Sequence, residues 1–364
     1  MDPATLLAGP RGRRLLLEYA LESQRLAFPQ DEEWRFHRAV GDAAYDLDPG
    51  RGTSVVRVAL GDGEDDEASA TPELVASLLS EVPLAEPTPE LLRHSLHQSV
   101  MAAMYWQPPD GSDILAATPV MREALHRVAV HIARSPHTDW WSSGWDTREQ
   151  SWIWWGDYRP FLDSVMAQLV QWRNQPSTPQ VTEQDEPSQE EIGNSTGVWW
   201  SIPPIALPHT SRSLEDGTPA GLWFSEDVGY QRAMISRVHL PSNPRILEIG
   251  RVEDWANLCR RYPLEVTNEK RNDWYHTTGR VGIWIMPDWH AIAREFDGVH
   301  LSVAAYLASA GTAIPIDAET ASVIAGWNPD DTWWFTEQLS VDHGVLWEYV
   351  YQQGTHVWRT ASPR

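Results

Sequence analysis

The 364-residue chain has one cysteine, Cys259, and one lysine, Lys270. A single cysteine excludes an internal disulfide framework and any cysteine-rich zinc site. Cys259 lies between Leu258 and Arg260 with no activating neighbour in the sequence, so it reads as a packing residue rather than a nucleophile. Arginine supplies every other cationic side chain, a usage that points to a GC-rich, bacterial-type coding sequence. No run approaches the roughly 20 apolar residues that span a bilayer. The start, Met1-Asp2-Pro3 followed by Arg11, Arg13 and Arg14, lacks the apolar core of a signal peptide. A cytoplasmic protein is expected. Also missing are a Gly-x-Gly-x-x-Gly at a strand-helix junction, a phosphate-binding P-loop, a Gly-x-Ser-x-Gly elbow and a His-Glu-x-x-His pair. These absences leave dehydrogenase, P-loop ATPase, α/β-hydrolase and zincin chemistry without support.

The chain does carry acid and tryptophan. Its net charge is −23, and residues 1–200 hold 31 acidic against 15 basic side chains. Such a field repels phosphate backbones and anionic lipid, which argues against general nucleic-acid or membrane binding. Of 21 tryptophans, Trp140, Trp141, Trp145, Trp152, Trp154 and Trp155 fall close together. That density reads either as an aromatic seam that packs two parts of the chain together or as a stacking wall for a planar or sugar-bearing ligand.

Three early segments open on threonine followed by proline. Thr71-Pro72 precedes Leu74, Val75, Leu78 and Leu79; Thr88-Pro89 precedes Leu91, Leu92 and Leu96; Thr118-Pro119 precedes Leu125, Val128 and Ile132. Threonine as N-cap with proline in the first turn, followed by three- and four-residue apolar spacing, predicts a helix each time. A further helix is expected from Tyr158 through Trp172, and a solvated acidic loop over Gly61–Glu67. Composition then turns to Gln, Pro, Ser, Thr and Glu, with Pro176, Pro179 and Pro187. Beyond it, β-rich runs at 221–225, 245–249, 281–286, 298–303, 332–335 and 345–350 alternate with helical pieces at 252–262 and 289–296. The fold class expected is α+β: a mostly helical domain over 1–175, a polar linker over 176–197 and an α+β domain over 198–364.

In that last part Pro208-His209-Thr210-Ser211-Arg212 is followed by Gly221-Leu222-Trp223-Phe224-Ser225, then Tyr230, and a late carboxylate, Glu337, follows Trp333-Trp334-Phe335. The order resembles the NAD-binding core of mono-ADP-ribosyltransferases. The resemblance implies NAD as a substrate and no metal, with a small-molecule ligand and a protein target as partners. His209 and Thr210 would bond the ribose and nicotinamide side of NAD, Trp223, Phe224 or Tyr230 would stack on the nicotinamide, and Ser225 would support the pocket. Glu337, with Glu348 in reserve, would stabilise the oxocarbenium-like transition state. The paired Glu-x-Glu of arginine-modifying members is absent.

Two other groups carry alternatives. Asp288, His290, Asp297 and His300 fall within thirteen residues, a set that would suit a metal-assisted tailoring enzyme. Against it, Asp288 reads well as a helix N-cap and Asp297-Gly298 as a turn. Asn328-Pro329-Asp330-Asp331 reads as a turn before a strand that could deliver acids to a pocket rim. A third alternative is a non-catalytic, tryptophan-rich interaction protein.

Overall fold

The computed structural model of the chain describes residues 1–28, 34–55, 70–146, 149–155, 164–174, 197–227, 229–352 and 355–361. The acidic loop at 61–67, almost all of the polar linker at 176–197, and the residues from Tyr158 to Asp163 in the helix expected there lie outside them.

The first part is helical, with α1 (Pro3–Ala8), α2 (Pro10–Ala27), α3 (Arg35–Leu47), α4 (Pro72–Glu81), α5 (Pro89–Met101), α6 (Gly111–Ala117), α7 (Pro119–Ala133) and α8 (Val165–Arg173). The threonine caps act as expected. Thr71, Thr88 and Thr118 each accept from the backbone N–H three residues on, at 3.3, 3.3 and 3.4 Å, with proline opening the helix. The Ser164 hydroxyl caps α8, accepting from the Ala167 N–H.

The remainder is strand-rich. β1 (Gln150–Trp155) precedes the polar segment; after it come β2 (His209–Arg212), β3 (Arg232–His239), β4 (Ile246–Ile249), β5 (Pro263–Glu265) and β6 (Ile283–Pro287). β7 (Gly298–Leu301), β8 (Ile314–Pro315), β9 (Thr320–Ser322), β10 (Asp331–Trp334), β11 (Ser340–Val341), β12 (Val345–Gln352) and β13 (Thr355–Thr360) complete the set. Helices α9 (Val252–Arg261), α10 (Thr267–Thr278), α11 (Trp289–Ile292) and α12 (Val303–Ser309) lie between them. The fold is α+β, helical first and strand-rich after. No described helix is long and apolar enough to cross a membrane.

One sheet runs β13-β12-β3-β1-β2-β10-β7-β4, with β11 also on β3; within it, among the described residues, the β4–β7 pair is parallel and the others antiparallel. A smaller sheet runs β5-β6-β9-β8. β1 comes from the tryptophan-dense stretch and sits inside the large sheet, between β2 and β3, so that sheet draws on both sides of the polar segment. The helical layer closes on the rest through α1 and α2, which pack against α12. At Gly9 a Cβ would lie 2.4 Å from the Leu307 carbonyl oxygen, so only glycine permits that backbone approach.

Two strand expectations change. The 221–225 run forms a 3-10 turn over Ala220–Leu222 instead of a strand. The reason is local hydrogen bonding: the Ser225 hydroxyl donates back to the Gly221 carbonyl at 2.8 Å, and the Gly221 N–H donates to Ser211 Oγ at 2.9 Å. The 298–303 strand stops at Leu301 because Ser302 caps α12.

Tryptophan is the main filler of the core. Trp255, Trp289 and Trp327 are fully buried and meet as an edge-to-face group, with centroids 5.6 to 6.1 Å apart. Cys259 is buried, and burial pushes its thiol up to about 12, as fits a packing residue. Removing a buried indole leaves a large void, so Trp327→Ala is expected to cost about 3–5 kcal/mol. Its urea midpoint, compared with that of the parent, checks this.

Candidate functional site

Strands β1, β2 and β10 place the chemistry. Register pairs His209 with Trp333, Ser211 with Asp331, and Ser151 with Ser211. Side chains alternate along a strand, so Ser151, Ile153, Trp155, His209, Ser211, Asp331 and Trp333 share one face. The His209 ring stacks on Trp333 at 4.6 Å with a 19° interplanar angle, and its Nδ1 lies 2.8 Å from Asp331 Oδ2. That contact leaves Nε2 as the ring nitrogen for a ligand.

All of these except Trp333 line a small cleft together with Gly221, Ser225 and Asn328. Its far wall is the 218–226 turn, braced from the helical layer. Arg93 of α5 lies over the Trp223 ring at 4.2 Å, and His97 Nδ1 donates to the Trp223 carbonyl at 2.5 Å. Behind the wall Glu226 ties down the segment leading into β10. Its N–H donates to Asn328 Oδ1 at 3.0 Å, and its Oε2 accepts from the Gly326 N–H at 2.8 Å. Burial pushes the Glu226 carboxyl up to about 8.

Of the residues singled out in the sequence, His209 and Ser225 meet in this cleft. Tyr230 is 60% exposed at its edge and stacks on Trp155 at 6.0 Å and 19°. Thr210 lies on the opposite face; its hydroxyl donates to Gln150 Oε1 at 2.7 Å and accepts from the Trp334 indole at 2.9 Å. Trp223 is buried, with its indole N–H on Thr218 Oγ1 at 2.8 Å. Glu337 does not line the cleft: it is exposed and accepts from the Ser164 hydroxyl at 2.8 Å. Glu348 pairs with Arg359 across the β12–β13 hairpin at 2.9 Å. The carboxylate in the cleft is Asp331. The signal for it was the Asn-Pro-Asp-Asp turn, but the pairing with His209, 122 residues away, is set by strand register.

On the other face, His300 is buried between Glu248, 2.7 Å from its Nδ1, and Asp330, 3.3 Å from its Nε2. Arg212 completes the group, its Nε donating to Asp330 Oδ1 at 2.8 Å while its guanidinium lies over Trp140 at 5.2 Å. Burial works against the charged imidazole, but the hydrogen bonds it donates to Asp330 and Glu248 outweigh it and raise His300 to about 9. The tight group seen in the sequence is thereby dispersed. Asp288 caps α11 and pairs with Arg173 at 2.9 Å, Asp297 pairs with Arg245 at 2.8 Å, and His300 has turned to Glu248 and Asp330. Among the described residues no group of three or more His, Cys, Asp or Glu side chains is arranged to hold a metal ion.

Wider clefts of about 1190 and 1130 Å³ flank the Glu149 segment. In the first the only cation, Arg212, is already committed to Asp330, and neither joins a histidine to a carboxylate and several hydroxyls as the His209 cleft does. No known protein family, curated protein or solved structure matches the chain.

Because His300 is held above its ordinary value of 6.5, its contribution to stability is full below that pH and is lost as pH rises through about 9. Replacing it by glutamine keeps Asp330 on Arg212 but removes the charged donor shared by Glu248 and Asp330, at an expected cost of about 1.5–3 kcal/mol in the acidic range. Urea titrations of parent and His300→Gln are expected to converge as pH passes 9. A gap that stays constant with pH would contradict the charged assignment.

Proposed function

We propose that the chain binds NAD by its nicotinamide riboside end in the His209 cleft and cleaves the nicotinamide–ribose bond, in the manner of an ADP-ribosyltransferase. One observation supports the reading above the rest: His209 and Ser225, far apart along β2 and the following turn, line one small cleft with a carboxylate and an indole.

Each group has a role that its existing hydrogen bonds leave open. His209, fixed through Nδ1 by Asp331 and stacked on Trp333, offers Nε2 to a ribose hydroxyl. Ser225 gives its proton to the Gly221 carbonyl, so its oxygen can accept from a carboxamide N–H. Asn328 accepts from the Glu226 N–H, which leaves its NH2 to donate. As the glycosidic bond breaks, the electron pair leaves with neutral nicotinamide and positive charge grows on the ribose; the oxygen or nitrogen of an acceptor, or water, bonds to the ribose carbon and gives up its proton to solvent. Asp331, which lines the cleft where Glu337 does not, is the carboxylate that would oppose the charge.

Incubation with NAD, alone and with a cell extract as source of acceptor, is expected to release nicotinamide. His209→Ala is expected to slow release about 100-fold or more, the usual scale for a positioned histidine. Binding of NAD without release would make the cleft a recognition site instead, and no binding at all would end the reading.

A further inference from the structure

We propose that the row of aromatic rings running from the His209 cleft along the β12–β13 hairpin is the subsite for the second ring of a dinucleotide ligand, an adenine-type base stacked at its outer end. The proposal rests on the reading that the cleft takes the nicotinamide end.

The row begins inside the cleft. Trp155 lines it, and its centroid lies 5.8 Å from that of Trp358. Trp358 lies 5.1 Å from Tyr349, Tyr349 stacks on His356 at 4.9 Å and 15°, and His356 meets Tyr351 at 5.2 Å. Register explains why these rings form one row. Trp155 pairs with Ala233, Ala233 with Trp347, Tyr349 with Trp358 and Tyr351 with His356. All therefore stand on the face that carries His209. The other face of the hairpin carries the Glu348–Arg359 ion pair. At the outer end of the row Tyr351 is 68% exposed, with His356 exposed beside it.

The cleft supplies the reason for choosing a base as occupant. A ligand held at His209 would extend along the cleft wall, and Trp155 is the residue shared by wall and row. Stacking on exposed rings is open to any planar base, since every base offers a π-face.

Titration calorimetry with NAD and with nicotinamide mononucleotide, which lacks the second base, separates the two ends of the ligand. The parent protein is expected to bind NAD more tightly than the mononucleotide. Replacing Tyr351 and His356 together by alanine is expected to weaken NAD about 5- to 100-fold, the range for loss of a base-stacking contact, and to leave the mononucleotide unchanged. Glu348→Gln, on the opposite face, is expected to change neither, and unfolding midpoints confirm that each variant is folded. Equal affinity of the parent for both ligands, or a double variant that binds NAD as the parent does, would overturn the subsite while leaving the cleft reading intact. Failure of the parent to bind either ligand would overturn both.

Discussion

Asp330 and Asp331 are neighbours at the start of one strand, yet their carboxylates go to opposite faces of the sheet and each holds a histidine. Asp331 holds Nδ1 of His209, while Asp330 lies buried between Arg212 and His300. Asp330 has a positive φ of 64°, a conformation that a residue with a side chain adopts at a cost. The two cationic partners on its own face counter that cost. Moving Asp330 would shift Asp331, and with it the hydrogen bond that orients the His209 ring.

The surrounding layers hold this strand start from several directions. The Trp327 indole reaches the Asp331 carbonyl at 3.3 Å, Glu226 clamps Gly326 and Asn328 in the turn before it, and α5 braces the 218–226 wall through Arg93 and His97. Tryptophan suits such a frame because one side chain supplies a large apolar body and one directed N–H. Two of the six clustered tryptophans show the division of labour. Trp152 is buried on the far side of β1, and Trp155, on the His209 face, is left half-buried at the cleft. The two faces of β1 thus divide its tryptophans, with Trp152 and Trp154 packing against Val238 and Trp155 lining the cleft.

Much of the frame was legible in the sequence because its causes are local. The Thr-Pro helix starts at 71, 88 and 118 need only a cap and an apolar stripe, and the strands around Ile246, Val299 and Trp347 need only a β-branched or aromatic run. Less of the site was legible. His209 and Ser225 stood out through their motif order, but Glu337 drew attention as a late carboxylate where Asp331 occupies the cleft. Nothing in the chain order says that β10 pairs with β2, which makes Asp331 the partner of Ser211 and turns it toward His209. The same non-local pairing separated His300 from Asp288 and Asp297 and gave it Glu248, a neighbour across the parallel β4–β7 pair. The 221–225 run failed as a strand for a different reason: its serine and glycine hydrogen bonds are stronger local instructions than its aromatic content.

The central claim is that the His209–Asp331 face, and not the His300 face, is where the protein meets its ligand. Nitrogen-detected NMR of 15N-histidine-labelled protein, titrated with NAD, tests it directly. The account expects the His209 ring signals to shift with saturation while those of buried His300 stay in place. Unmoved His209 signals at saturating NAD, or a response confined to His300, would contradict it.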